Sequence, residues 1–490
     1  MRFLAAFVAL VLVVAACGGD DGDGGVFDDA QGDSSSTTSP DGDDAQDGNV
    51  DLDDSDISEP IEPLRSVADE DQVAEGADAV MIAAAIDVGA FWEQTYPEIY
   101  GEELPPLQGG YWSYGPETPA DELPTCDGAL SYDQIAVNAF YCPVDDLIAW
   151  DREGLVEPFI DSYGAFTAAV VMAHEYGHAV QARSGDNGVL DQVVLELQAD
   201  CFAGAWTAYV VEENSDVFQA TIDELDVAVG GLLAIRDAPG SSPDDPSAHG
   251  SGFDRVSAYS DGLFEGAARC AAYGEAPPIV TQEVFQTEAD AASGGNLPAE
   301  ELLPLLYADL EDFYTQLFAS GGLTWVPVND IIFFDPEVDD PTCGGQTYEG
   351  EDVANRAFYC IDDSLVYVDV ANLLPKLNEV GDFAIASEIA RQWAFSAQAQ
   401  LGNLDDNLGT NLHADCLAGL YAGDVYFQLR PDTASLVLSP GDLDESIIGF
   451  LITAEDNDAS YTGTPFERSD AFRTGFIGSP EDCDPYLELS

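Results

Sequence analysis

Two short segments in the first half of the chain contain residue types that hydrolytic metal centres use. Residues 174–178 read His-Glu-Tyr-Gly-His, and Glu196 and Asp200 follow in a segment that reads Glu-Leu-Gln-Ala-Asp. On a helix, positions i and i+4 share one face, so His174 and His178 can direct both imidazoles at a single ion. A catalytic zinc ion takes three protein ligands and keeps a fourth position for water. The spacing therefore predicts a zinc site with Glu196 as the third ligand.

The other two acidic residues suit supporting roles. Glu175 follows His174 directly, where it can reach a water molecule at the metal without binding the metal, and this is the position of a general base. Asp200 lies one helical turn after Glu196 and can accept the free N–H of a metal-binding imidazole. The structural alternatives are a surface carboxylate for Glu196 and a pair of core histidines.

A hydrolytic centre of this kind also requires a group that stabilises the oxyanion. His249, in a segment rich in Gly and Ser, is the candidate catalytic residue for this role. The alternative is a structural or helix-capping role for His249. Tyr176 is the weaker candidate because it points away from the ligand face of the helix. The tryptophans of this half suit core or groove packing better than substrate recognition; they are Trp92, Trp150 and Trp206.

Hydrophobic patterns predict the elements that hold these residues. An apolar segment without proline predicts the helix that carries the histidines, and a second helix carries Glu196 and Asp200. Two short strand-like runs upstream predict a hairpin. The predicted helices cover 82–92, 166–182, 189–211 and 222–235, and the predicted strands cover 135–142 and 147–150. The prediction is an α+β domain that is rich in helix and has a small sheet near the site.

The second half of the chain repeats the first in several segments that keep their order and spacing. Pro-Thr-Cys at 124–126 recurs at 341–343, Ala-Phe-Tyr-Cys at 139–142 recurs at 357–360, and Ala-Asp-Cys at 199–201 recurs at 414–416. The prediction is two homologous helix-rich domains, over about 70–275 and 285–490.

The repeat separates residues that serve the fold from residues that serve the site. The second half lacks every candidate ligand and the candidate base. At the matching positions, Arg391 replaces His174, Gln392 replaces Glu175, Phe395 replaces His178 and Asn411 replaces Glu196. Its one histidine, His413, matches no ligand and is interpreted as an ordinary side chain. The second domain is therefore predicted to be a pseudo-peptidase domain without a metal.

The repeat also limits how the cysteines can pair. Eight cysteines besides Cys17 allow many pairings, but few are the same in both halves. The predicted disulfides are Cys126–Cys142, Cys201–Cys270, Cys343–Cys360 and Cys416–Cys483. An exported compartment permits such bonds.

The first residues predict export. Residues 1–17 have a charged start, an apolar run too short to span a membrane, and Val-Ala-Ala-Cys at the end, which resembles a bacterial lipobox. The resemblance implies cleavage before Cys17 and a lipid on its sulfur, so that the protein is anchored at the outer face of the bacterial cell membrane. An ordinary signal peptide is the alternative. Residues 18–68, rich in Asp, Gly and Ser, predict a disordered acidic tether.

Net charge restricts the partners. The chain carries 94 Asp and Glu against 13 Lys and Arg, a formal net charge of −81. Such a surface argues against binding nucleic acid and against electrostatic attraction to anionic lipid. No oligomeric state follows from the sequence.

The first half resembles the bacterial neutral zinc metallopeptidase family. The resemblance rests on Ala-His-Glu-Tyr-Gly-His at 173–178 together with Glu-Leu-Gln-Ala-Asp-Cys at 196–201 and His-Gly-Ser at 249–251. It implies a zincin-like fold, a Zn²⁺ cofactor and an endopeptidase that acts on a peptide or protein substrate. The second, degenerate copy departs from that family. The alternative function is an inactive, zinc-stabilised surface lipoprotein that binds a protein partner.

Overall fold

The computed structural model describes residues 76–126, 128, 131–405, 407–454 and 459–489. The predicted signal peptide and lipobox over 1–17 and the whole predicted tether over 18–68 precede this part of the chain. These predictions, including lipid attachment at Cys17, therefore lie outside the described residues.

The first half combines a three-stranded sheet with a group of helices. The sheet has the order β1-β3-β2, with β1 parallel and β2 antiparallel to the central strand β3. The strands are β1 (Gly110–Tyr114), β2 (Ala139–Cys142) and β3 (Leu147–Asp151). The helices are α1 (Ala77–Tyr100), α2 (Tyr132–Ile135), α3 (Glu157–Ser184), α4 (Gln192–Val211), α5 (Ile222–Ala234), α6 (Gly252–Glu265) and α7 (Ala267–Ala271).

Several predicted elements differ from the structure at their edges. The helix predicted over 82–92 is the longer α1, and the helix predicted over 189–211 begins only at Gln192. The strand predicted over 135–142 begins only at Ala139, because Ser131 and Gln134 form a capping box that starts the short helix α2 at Tyr132. The helix predicted over 166–182 is part of α3, which extends to Glu157 across a kink at Gly164, where φ is 79°. Strand β1 was not predicted.

The second half has the same sheet arrangement. Its order is β4-β8-β7, again with one parallel and one antiparallel neighbour of the central strand. The strands are β4 (Asp330–Phe334), β5 (Thr342–Cys343), β6 (Gln346–Thr347), β7 (Ala357–Cys360) and β8 (Leu365–Asp369). The helices are α8 (Glu288–Ser293), α9 (Ala299–Ser320), α10 (Leu373–Val380), α11 (Asp382–Leu401), α12 (Leu408–Tyr426), α13 (Asp442–Thr453), α14 (Ala459–Thr462), α15 (Pro465–Ile477) and α16 (Pro480–Cys483). The whole is an α+β fold, rich in helix with small sheets.

One hydrophobic core runs through both halves. Trp92, Trp150 and Trp206 are fully buried in it, as the sequence predicts for packing residues. Across the boundary between the two halves, the rings of Phe253 in α6 and Phe476 in α15 pack edge to face, with their centroids 4.9 Å apart. Of the described segments, only 152–184 is long and apolar enough to cross a membrane by length and composition, and half of its most apolar window is buried. Core packing accounts for that apolar character.

The described part of the chain contains four disulfides, and they are the predicted pairs. Each half has one bond across its sheet region and one between the helix that carries the Ala-Asp-Cys segment and the end of that half. The bonds are Cys126–Cys142, Cys201–Cys270, Cys343–Cys360 and Cys416–Cys483.

Candidate metal centre

Close contact between α3 and α4 positions the predicted ligands. At Gly177, an added Cβ would lie 3.0 Å from the Cα of Ala199, so a side chain at 177 would push the helices apart. His174 and His178 lie on either side of this contact along α3. The approach brings Glu196, on the neighbouring turn of α4, to the histidine face.

The three predicted ligands converge. Oε2 of Glu196 lies 3.3 Å from Nε2 of His174 and 3.5 Å from Nε2 of His178, and all three ligand atoms lie within 4.8 Å of one another. Zinc bonds of about 2.0–2.2 Å in tetrahedral geometry separate neighbouring ligand atoms by about 3.3–3.6 Å. A charged hydrogen bond would instead bring the atoms to about 2.7–2.9 Å. The donor set and its spacing therefore fit a tetrahedral ion.

Hydrogen bonds at the far side of each ring select the nitrogen that faces Glu196. Nδ1 of His174 lies 2.7 Å from the Asp200 carboxylate, and Nδ1 of His178 lies 2.8 Å from Oε1 of Gln181. The amide nitrogen of Gln181 donates to the Leu195 carbonyl at 2.6 Å, which fixes the amide orientation. Both Nδ1 atoms are thus donors, and both Nε2 atoms keep a lone pair for a metal.

A buried arginine completes the support of His174. Arg255 donates from Nε and from Nη2 to the two oxygens of Asp200, each at 2.8 Å, and from Nη1 to the Ile235 carbonyl at 2.7 Å. Burial raises the pKa of Asp200, but Arg255 and His174 outweigh it and lower that pKa. Asp200 therefore stays charged and remains an acceptor for the imidazole.

The carboxylates make the cavity attractive to positive charge. Burial lowers the pKa of His174, but Asp200, Glu196 and Glu175 more than offset this and raise the pKa to about 10. A divalent cation would supply the same positive charge without protons on the ligand nitrogens. The electrostatics of the cluster thus agree with its geometry.

The candidate base is held by the sheet. Glu175 is 6% exposed, and its Oε2 accepts the backbone N–H of Tyr141 in β2 at 2.9 Å. Burial raises the pKa of the Glu175 carboxyl, which favours its acceptance of a proton. Because β2 lies at one edge of its sheet, its backbone N–H groups on that side are free to bind a side chain of the site helix, as Tyr141 does.

A cavity of about 370 Å³ contains the ligand cluster. Beside the cluster, its wall is apolar and comes mainly from α3 and α5, with Phe159, Val170, Val171, Ala228, Leu232 and Ile235. The cavity is large enough for an apolar side chain next to the ion site.

His249 lies in the wall of this cavity, whereas Tyr176 does not line it. Asp237 binds His249 twice: it accepts the backbone N–H at 2.9 Å, and its Oδ1 lies 3.3 Å from Nδ1. The structure therefore places His249 at the site, with Nδ1 engaged by Asp237.

In the second half, a guanidinium stands at the matched position. Arg391 Nη2 donates to Asn411 Oδ1 at 2.6 Å, and Arg391 Nε lies 2.8 Å from Asp415. The ring of Phe395 lies 4.9 Å from the Arg391 guanidinium carbon. Asn411 matches Glu196 of the first half, Asp415 matches Asp200, and Phe395 matches His178.

The contacts of several supporting residues were not predicted from the sequence. Gln181 and Arg255 recur in the second half as Gln398 and Arg468, and Arg468 binds Asp415 as Arg255 binds Asp200. This recurrence was a usable signal, because a buried cation needs a matched anion. Tyr141 acts through its backbone, so no side-chain pattern could reveal it.

The comparisons with known proteins agree with this site. Residues 125–273 match the protein family described as "Putative neutral zinc metallopeptidase". This match supports a place for the first half in that family. The matched range includes all residues of the cluster and His249.

Two relatives are similar to part of the chain. The uncharacterized protein Rv2575 of Mycobacterium tuberculosis is 37% identical over 119 residues, which cover 21% of this chain and 41% of that protein. The uncharacterized protein YpfJ of Escherichia coli is 30% identical over 164 residues, which cover 29% of this chain and 56% of that protein. The chain thus spans about half the length of these relatives. No solved structure matches it.

Proposed function

We propose that the first half is a zinc-dependent endopeptidase. The observation that carries this proposal is the convergence of Glu196 Oε2 on the Nε2 atoms of His174 and His178, at 3.3 and 3.5 Å. These distances suit the edges of a tetrahedral zinc centre, with one corner left for water. The neutral zinc metallopeptidase match over 125–273 agrees with this donor set.

In this mechanism, zinc when bound polarises a water molecule and lowers its pKa toward neutrality. Glu175 takes the proton from the water as it attacks the peptide carbonyl, and then passes the proton to the leaving amine. The Tyr141 N–H holds one oxygen of Glu175 in place, at 2.9 Å. The other oxygen is then the one that accepts the proton.

His249 is proposed to stabilise the oxyanion. Its Nδ1 faces Asp237 at 3.3 Å, which leaves Nε2 as the ring nitrogen for the substrate oxygen. A donor at this position acts mainly in the transition state, when charge develops on that oxygen. Its loss is therefore expected to lower kcat more than it raises KM.

The apolar wall beside the cluster suggests the substrate. Phe159, Val170 and Leu232 border the same cavity as Glu175. An apolar side chain next to the scissile bond would bury itself there and align the peptide. We therefore propose a protein or peptide substrate with a large apolar residue at the cleaved bond.

We infer that the second half is a degenerate copy that holds no zinc. Support comes from the repeated sequence segments and from the matching sheet order. Arg391 binds Asn411 and Asp415 where His174 faces Glu196 and Asp200, so a guanidinium supplies the positive charge at this position.

The place of action is proposed from the N-terminal sequence. Cys17 would carry a lipid that anchors the protein at the outer face of the bacterial cell membrane, with 18–68 as the tether. Four disulfides in the folded part agree with an oxidising compartment.

The alternative is an inactive lipoprotein in which zinc serves stability alone. A structural zinc site is closed by four protein ligands. The cluster in the described part of the chain offers three such groups, and Glu175 lies beside them as a base. This difference favours the enzyme.

Cleavage of an unfolded protein tests the proposal. The full chain is loaded with zinc and compared with Glu175→Gln and with Gln392→Ala, the matched position of the second half. We expect Glu175→Gln to keep its zinc and lose activity by roughly 10²–10⁴-fold, and Gln392→Ala to keep both. Equal cleavage by the wild type and Glu175→Gln, or none by either, would refute the enzyme.

A further inference from the structure

One carboxylate of the second half contacts both ends of the segment that carries His249. This segment joins α5 to α6. At its start, Nε of Arg236 lies 3.0 Å from Oδ2 of Asp444. At its end, the Phe253 N–H donates to Oδ1 of Asp444 at 2.8 Å. Asp444 lies in the first turn of α13 and is 3% exposed, so both contacts are shielded from solvent.

Within the segment, Asp237 links the start to His249. Asp237 directly follows Arg236 and accepts the N–H groups of His249 and Gly250, at 2.9 and 3.1 Å. Its own N–H donates to the Gly250 carbonyl at 3.0 Å. A displacement of Arg236 would therefore move the carboxylate that orients the His249 ring.

The end of the segment fits tightly against α13. A Cβ added at Gly252 would lie 3.2 Å from Cγ of Asp444 and 2.4 Å from a methyl carbon of Leu233. Glycine at 252 thus allows α13 to approach the backbone closely. This close approach is what lets the Asp444 carboxylate reach Phe253.

The repeat provides a second contact of the same kind in the opposite direction. Asp226 in α5 matches Asp444, and it accepts the N–H of Phe466 in α15 at 2.7 Å. The position that matches His249 is Thr462, which belongs to the half without the ligand cluster. Of these two reciprocal contacts, only the one from Asp444 therefore leads to the candidate site.

We infer that the second half positions His249 through Asp444. Asp444 is a positioning residue: it fixes Arg236 and the start of α6, and these fix Asp237 and the His249 ring. The catalytic consequence rests on the proposed function of the first half. The degenerate copy then has a role, which is to hold the oxyanion-binding side of the cleft.

Histidine ring NMR tests the positioning without any activity assay. The full chain has four histidines, so ¹⁵N-labelled rings give few signals, and His413 in the second half is an internal reference. We expect Asp444→Asn to move the His249 ring signals and leave His413 in place. The matched control Asp226→Asn should leave His249 unchanged. Unchanged His249 signals in Asp444→Asn, or equal shifts in both variants, would overturn the inference.

A milder variant covers the case in which Asp444→Asn does not fold, as judged by the His413 signal and thermal unfolding. Arg236→Gln removes one of the two contacts and keeps the Phe253 hydrogen bond. It should also move the His249 signals, by less than Asp444→Asn in a folded sample. A folded Arg236→Gln with His249 unchanged would count against the inference.

Kinetics then connect the position to catalysis. Asp444→Asn should lower kcat by on the order of 10- to 100-fold with little change in KM, because the oxyanion donor is displaced. Asp444→Glu should recover part of this loss. Combined with His249→Gln, Asp444→Asn should add no further loss, and additive losses would contradict the route through His249. If the wild type cleaves nothing, the proposed function fails while the NMR result still decides the positioning.

Discussion

Nη2 of Arg391 lies 2.6 Å from Oδ1 of Asn411, at the two positions that match His174 and Glu196 of the first half. The guanidinium also lies 2.8 Å from Asp415, the counterpart of Asp200. Arg391 therefore has the neighbours of a metal-binding histidine, but it carries a permanent charge of its own. Two halves with the same sheet order thus hold a candidate metal-ligand set in one and a fixed organic cation in the other.

The scaffold of the second half should accept zinc once its ligands are restored. We predict that the triple variant Arg391→His, Phe395→His, Asn411→Glu raises bound zinc from one to two ions per chain. The reason is that Asp415 and Gln398 already lie where Asp200 and Gln181 support the first site. Zinc is measured by atomic emission on the dialysed protein. Arg391→His alone is the control and should stay at one ion, and a folded triple variant with one ion would contradict the prediction.

Asp200 should matter for both metal binding and stability. In Asp200→Asn, the His174 ring loses its charged acceptor and Arg255 loses the carboxylate that it contacts directly. We predict that zinc affinity falls by roughly 10- to 100-fold and that unfolding free energy falls by roughly 3–5 kcal/mol. Competition with a fluorescent chelator and denaturant unfolding measure the two effects.

Asp415→Asn is the matched control for Asp200→Asn, because Arg468 binds Asp415 at 3.0 Å in the second half. It should lower stability in the same way and leave zinc affinity unchanged. An equal loss of zinc affinity in both variants would show that Asp200 acts through general stability and not through His174.

His413 should make the fold sensitive to mild acid. Burial lowers the pKa of His413 to about 4 from an ordinary value of 6.5. Its Nδ1 lies 2.7 Å from the amide nitrogen of Gln398, which also donates to the Thr410 carbonyl. Nδ1 therefore accepts a hydrogen bond from the amide, and this contact favours the neutral ring. Because the unfolded chain binds this proton first, stability falls as pH falls from about 6.5 to about 4, and this contribution levels off below that.

His413→Gln isolates this contribution, since the matched residue of the first half is Gln198. Between about pH 7 and about pH 5, the wild type should lose roughly 2 kcal/mol more unfolding free energy than the variant. Urea unfolding at both pH values measures the difference. Equal losses in the two proteins would mean that His413 is not held neutral.

The sequence predicts most of the cluster, because its key relations are local. His174 and His178 share a helix face by spacing alone, and Asp200 follows Glu196 by one turn. The disulfide pairs were also predicted, since the repeat leaves few pairings that are the same in both halves. The α+β class with small sheets was confirmed for the described residues.

The remaining features depend on approaches between distant segments. Strand β1 is five residues long, and it becomes a strand by pairing in parallel with β3, well downstream in the chain. Asp444 meets Phe253 across 191 residues of sequence, and Tyr141 holds Glu175 through its backbone. No short-range pattern encodes such contacts, because they arise from how helices and strands pack.

Zinc-edge X-ray absorption, combined with the zinc content of the full chain and of Glu196→Gln, tests the central claim most directly. We predict one zinc ion per wild-type chain, bound by two imidazole nitrogens and by oxygen ligands at about 2.0–2.2 Å. We also predict that Glu196→Gln binds zinc far more weakly, while Asn411→Gln, its counterpart in the second half, keeps the full zinc content. A wild type without zinc, or a zinc signal that Glu196→Gln leaves unchanged, would contradict the account.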